Sequence, residues 1–187
     1  YNRWSQLQSS IANETTTPPS TQETSMTDAV KEKPLLPLAQ EMLKENPDAA
    51  GWITIENTKI NYPVVLRKSD DGNDFYLSHS FDGSENRKGA IFMDYRTTSD
   101  GLYQSDNIVL YGHNAAANDM FGDLDKYKNN GGADWSDKAL EFYKENPTFQ
   151  FSTNYDNGTY KIFAVFVTMR TDEYDDIPLF DYHNYID

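Results

Sequence analysis

His113 is the side chain in this sequence best placed for acid–base chemistry. It follows the apolar run Ile108-Val109-Leu110-Tyr111, with Gly112 directly before it and Asn114 directly after. A strand ending there would hold the imidazole rigidly while leaving it exposed, and a neighbouring glycine permits an unusual backbone angle or a close approach by another group. Imidazole titrates near neutral pH, so at a cleft it accepts and returns a proton during acyl transfer. Judged alone, a strand-end histidine is more often structural, and the thiol it would serve in a Cys–His pair is absent: the sequence holds 3 histidines and no cysteine.

The other candidates are weaker. His79, in Leu77-Ser78-His79-Ser80-Phe81, and His183, in Asp181-Tyr182-His183-Asn184, lie in polar or irregular surroundings. None of the three histidines has the close spacing of a chelate, so no metal site and no cofactor are expected. Asn73 reads first as a turn former within Asp70-Asp71-Gly72-Asn73-Asp74. Asp94 and Arg96 are spaced for a local ion pair. A hydrolase built on an acidic pair has little behind it, because 30 acidic side chains provide almost any spacing by chance.

The elements that must position these residues are mostly short strands. The stretches 51–55, 60–66, 89–93 and 107–111 are apolar runs bounded by Gly, Asn, Asp or Ser. Residues 56–59 make a tight connection, and Pro63 argues for an edge or a bulge in the second strand. Leu35, Leu38, Ala39, Met42 and Leu43 fall at helical spacing ahead of Asn46-Pro47, which ends that helix. A short helix is expected over 119–127. A second, capped by Ser136, would turn Ala139, Leu140 and Tyr143 inward. Two strands follow, 149–152 and 159–168, with Asn157-Gly158 as the hairpin turn. The acidic, Tyr-rich stretch 171–187 shows no strand.

This pattern predicts a mainly β domain with helices, a barrel or sandwich whose last apolar strand has no obvious later neighbour. Residues 1–33, rich in Ser, Thr and Pro, read as a flexible linker, and 34–187 as the folded part. Asn13-Glu14-Thr15 fits a glycosylation sequon, a weak signal as a bare tripeptide. The formal charge of −14, with no basic stripe, speaks against nucleic acid and anionic membrane surfaces as partners. Disulfides and cysteine-ligated metals are excluded by composition. No apolar run approaches a bilayer span, so membrane attachment would come only through an anchor upstream of Tyr1.

Five blocks in order carry a resemblance: Asn46 to Ile53, Ile60 to Val65, Asn73 to Leu77, Gly89 to Arg96, and Tyr111-Gly112-His113-Asn114 followed by Met120 to Leu124. From about Leu35 to Val167 the chain resembles the class B sortases. That resemblance implies a sortase-type β-barrel with an N-terminal helix, displayed on the outer face of a Gram-positive cell membrane. It implies a cysteine transpeptidase that cuts the sorting-signal peptide of a secreted protein and joins the new carboxyl end to a cell-wall precursor amine. By position, His113 matches the family histidine, and Asn73 lies where members often place a polar residue near the active site. Met120, Phe121 and Leu124 would pack the segment after the histidine.

The family cysteine, in a Thr-Leu-x-Thr-Cys-like strand, and the arginine on the following strand have no match here. Arg170 comes too early in the order. The expectation is therefore the N-terminal part of such a domain, incomplete at the C-terminus and inactive as it stands. The alternative is a non-catalytic binding module that keeps the fold without the chemistry.

Overall fold

The computed structural model describes residues 32–69, 73–128 and 137–166. His183, Arg170, Ser136 and the stretch 171–187 lie outside the described residues, as does nearly all of the expected linker.

Helix α1, Pro37–Glu45, begins on a proline whose fixed φ suits a first helical position and whose missing N–H costs nothing there. Leu38, Ala39 and Met42 form its buried stripe. Asn46 closes it: its amide donates to Met42 O, and its side chain donates to the Tyr76 hydroxyl and the Phe81 carbonyl.

Among the described residues eight strands follow: β1 Ala49–Thr54, β2 Asn61–Val65, β3 Ile91–Met93, β4 Leu110–Tyr111, β5 Asn114–Ala115, β6 Asp119–Met120, β7 Thr148–Thr153 and β8 Asn157–Lys161. Six make one curled sheet in the order β4-β3-β2-β1-β7-β8, and β5 and β6 form a separate hairpin. The sheet is mixed, since β2 and β3 run parallel and the other pairs antiparallel. A parallel pair needs a crossover, and here that crossover carries the 3₁₀ turn Phe75–Leu77.

Both faces of the central strands are buried, which is why they read as continuous apolar runs. Trp52, Val65 and Phe92 pack with α1, Tyr76 and Phe81 on one face. Their neighbours Ile53, Val64, Ile91 and Met93 pack with Ile55, Ile60, Tyr62, Met120, Tyr127 and Phe151 on the other. Alternation along a strand assigns successive residues to opposite layers.

Several sequence expectations are corrected. Pro63 sits in an internal strand, tolerated because β3 pairs only with Val64 and Val65, so Pro63 has a neighbour on the β1 side alone. The register irregularity falls between Ala49 and Gly51. Residues 119–127 are no α-helix: Asp119 and Met120 pair back onto β5, and only Gly122–Tyr127 turns, as 3₁₀. The β7–β8 turn is not Asn157-Gly158, which already lie in β8; it spans Thr153 to Asp156, where the Thr153 hydroxyl accepts from the Tyr155 and Asp156 amides.

Strand β8 ends at Lys161 rather than Thr168, because its partner β7 begins at Thr148 and the ladder runs out. In α2, Asp137–Glu145, Ala139, Phe142 and Tyr143 meet the core while Leu140 is 46% exposed, one position off that stripe.

Candidate functional site

The β3–β4 register sets the site. Phe92 pairs with Tyr111 and Met93 with Leu110, so continuing the ladder places Ile91 across from Gly112. A Cβ at Gly112 would lie 2.4 Å from Ile91 Cδ1 and 2.7 Å from Phe121 Cδ2. Of the two roles expected for this glycine, the structure uses the close approach. The chain then emerges at His113, which is exposed between β4 and β5.

His113 is held at two points. Its carbonyl accepts from the Phe121 amide at 2.9 Å, so the β5–β6 hairpin folds back on it. Its Nε2 lies 2.8 Å from the Leu77 carbonyl oxygen. A carbonyl only accepts, so Nε2 carries the hydrogen and the neutral ring keeps its lone pair on Nδ1. Among the described residues no group bonds Nδ1. Phe121 and Met120 serve packing, as expected: Met120 is buried, and Phe121 lies against Gly112.

Leu77 ends the 3₁₀ turn 75–77, and that turn is pinned from beneath. The Ala90 amide donates to Tyr76 O at 3.0 Å, and Gly89, at φ +62, would drive a Cβ to 2.4 Å from the same oxygen and 2.8 Å from Leu77 O. Only glycine fits there without strain.

Asn73, at the start of this segment, uses both ends of its amide. Its Nδ2 donates to Asp94 Oδ2 at 3.1 Å, and its Oδ1 accepts from the Tyr95 amide at 2.8 Å. The structure thus brings Asn73 and His113 to one assembly, joined through the 73–77 segment, without direct contact between them.

Asp94 is the centre of that assembly, and its charge pairing with Arg96 is as the spacing suggested. Asp94 is fully buried. Arg96 grips it as a fork, Nε to Oδ1 at 2.9 Å and Nη2 to Oδ2 at 3.1 Å, and the Arg96 amide adds a third bond. The Tyr111 hydroxyl donates to Oδ2 at 2.9 Å. Burial alone would raise this carboxyl's pKa; the Arg96 bonds, then Tyr111 and Asn73, outweigh it and hold the group well below the usual carboxylate range. Sequence reasoning missed the Tyr111 and Asn73 bonds. The available signal was parity, since Asp94 lies two residues past Phe92, Tyr111's pair.

His79 is accounted for locally. Its ring stacks on Phe75 at 4.0 Å and its Nδ1 donates to the Phe75 carbonyl at 2.7 Å. Among the described residues no three His, Cys, Asp or Glu side chains are grouped to hold a metal ion. No helix among them is long and apolar enough to cross a membrane. An open apolar trough of about 740 Å³ is lined by Ile53, Ile55, Ile108, Leu110, Phe121 and Phe151 among others, and His113 is not among its lining residues.

No family model matches the chain. It is 38% identical over 135 residues to sortase B of Listeria monocytogenes, covering 72% of this chain and 48% of that protein. To sortase B of Staphylococcus aureus it is 32% identical over 138 residues, 74% of this chain and 50% of that one. The chain thus spans about half the length of the curated relatives it matches. The solved structure of sortase B from B. anthracis in complex with AAEK1 superposes with a TM-score of 0.62 at 31% identity, covering 76% of this chain and 61% of that chain.

Proposed function

Across the matched residues this chain belongs to the sortase B family, and on that premise we propose that it carries the histidine half of a cysteine transpeptidase site. In this reading the substrate is the sorting-signal peptide of a secreted protein, and the acceptor is an amine of a cell-wall precursor. The protein works on the outer face of a Gram-positive cell membrane, held by an anchor upstream of Tyr1.

The observation that carries the reading is the His113–Leu77 bond. It leaves Nδ1 as the nitrogen that handles protons. A cysteine thiolate attacks the scissile carbonyl carbon, the C–N bond breaks, and protonated His113 gives its proton to the departing amine. An incoming amine then attacks the thioester, yields its proton to His113, and the thiolate leaves. Asn73, the weaker substrate-side candidate by family position, starts the segment that supplies Leu77, and its amide is engaged by Asp94 and Tyr95.

The sequence contains no cysteine, so the chain by itself is inactive in this proposal. Loss of the nucleophile lowers turnover on the order of a million-fold.

The test joins residues 34–187 to the remaining part of a sortase B relative that supplies the cysteine and arginine strands. Peptide cleavage with transfer to an amine is expected, and His113→Ala should reduce it about a thousand-fold or more. A chimera that unfolds cooperatively yet never cleaves the peptide would sink the proposal. The absence of cysteine also favours a second reading, a sortase-fold binding module. Saturable binding of a sorting-signal peptide by the chain alone, together with that inactive chimera, would establish it.

A further inference from the structure

We propose that Asp94 is a positioning residue for His113, one buried carboxylate that holds both elements between which the histidine is suspended. The imidazole hangs between the end of β4, which delivers it, and the Leu77 carbonyl, which binds its Nε2. Asp94 Oδ2 bonds each side. Through the Tyr111 hydroxyl at 2.9 Å it fixes the strand two residues before His113. Through Asn73 Nδ2 at 3.1 Å it fixes the segment four residues before Leu77, and the Tyr95 amide, from the residue after Asp94, closes a second bond onto the same asparagine.

An aspartate serving only to neutralise Arg96 would need the guanidinium fork and nothing more. Here, besides Arg96's own amide, two further donors come from the two elements that meet at the histidine. Asp94 has no exposed surface, so a broken arm cannot simply be replaced by bulk water, and a displaced Tyr111 or Asn73 moves one end of the His113–Leu77 bond relative to the other. Acceptors that take a ring N–H fix a histidine's orientation and tautomer in the same way at metal-ligating histidines.

The inference takes its catalytic meaning from the proposed role of His113, but its test reads the ring directly and needs no transpeptidase activity. The full chain, labelled with ¹⁵N-histidine, gives imidazole correlation spectra in which His113→Gln assigns the signal. His113 is expected as the Nε2–H tautomer and His79 as Nδ1–H, from their respective carbonyl partners. Asp94→Asn keeps an oxygen toward Arg96 and turns an NH₂ toward Tyr111 and Asn73. The His113 tautomer ratio should then fall about tenfold, the weight of one hydrogen bond, while His79, bonded within its own turn, stays unchanged.

Tyr111→Phe should act in the same direction, about threefold, and should add nothing on top of Asp94→Asn. An unaltered His113 in folded Asp94→Asn overturns the inference, and so does a loss of both tautomers together, which marks a general structural effect. If Asp94→Asn does not fold, Tyr111→Phe and Asn73→Ala decide: an unaltered His113 in both overturns it, and a shift in either upholds it.

Discussion

The Nε2 of His113 donates to the main-chain carbonyl of Leu77 at 2.8 Å. The bond joins the end of the β3–β4 ladder, at one edge of the described sheet, to a 3₁₀ turn in the crossover between two parallel strands. It decides the tautomer, and with it which nitrogen faces substrate in the proposed reaction.

Gly112→Ala should disturb both packing and the histidine. The added methyl would come within 2.4 Å of Ile91 Cδ1 and 2.7 Å of Phe121 Cδ2. Overpacking of this kind costs about 1–3 kcal/mol. Urea unfolding measures the cost, and a midpoint equal to that of the parent chain would contradict the close approach.

Asp94 should shape the acid limb of stability. Its folded pKa lies below its unfolded value near 4. Its contribution is therefore fully present above that unfolded value and is lost as pH falls toward the lowered one. At neutral pH Asp94→Asn should cost about 3 kcal/mol, as for a broken buried ion pair. The difference from the parent should shrink progressively below about pH 4, as followed by denaturant melts across pH. A gap that is constant with pH would refute this.

Tyr76 and Tyr127 should shape the alkaline limb. Burial pushes both phenols up to about 12; at Tyr76 the bond from Asn46 opposes that rise and the bond to Asp48 adds to it. Raised folded values mean stability that is present below the ordinary phenol pKa near 10 and is lost as pH climbs toward 12. Phenolate absorbance should show these two tyrosines titrating only as the fold melts, and Tyr127→Phe should flatten the loss.

Two apolar truncations should differ sharply. Met42, 1% exposed, anchors α1 to the Trp52 layer, and Met42→Ala should cost about 2–5 kcal/mol. Phe163 is 96% exposed, and Phe163→Ser should change stability by no more than about 0.5 kcal/mol. Thermal unfolding of the two variants side by side checks both.

The local elements were legible where their cause is local. Pro37 and the 38–39–42 stripe make α1, Asn46-Pro47 ends it, the apolar runs at 60–66 and 89–93 contain β2 and β3, and the run at 51–55 overlaps β1, which begins two residues earlier at Ala49. The reading failed where pairing overrides pattern. The run from Tyr160 to Val167 is apolar enough to continue as a strand, yet the paired strand ends at Lys161: the Ile162 amide still bonds the Pro147 carbonyl, but Pro147 has no N–H to return the bond. Met120 to Tyr127 carries apolar residues in a helix-like arrangement, but Met120, at φ 53, is held in the hairpin with β5 while its amide donates to the Tyr62 hydroxyl.

By itself the sequence determined that a strand would hand His113 to an exposed turn beside a glycine, and that no thiol is among its residues, because both follow from residue type and order. The strand is shorter and less buried than the run 107–111 suggested, since only Leu110 and Tyr111 pair, half-buried at the sheet edge. Only the tertiary structure decided what holds the imidazole. The Leu77 carbonyl is a main-chain acceptor without a residue-type signature, and Asp94 meets Tyr111 and Asn73 only once β3, β4 and the crossover are stacked in register. Hydrogen bonds between segments distant in sequence are set by register and burial, and neither is written in any single stretch of the chain.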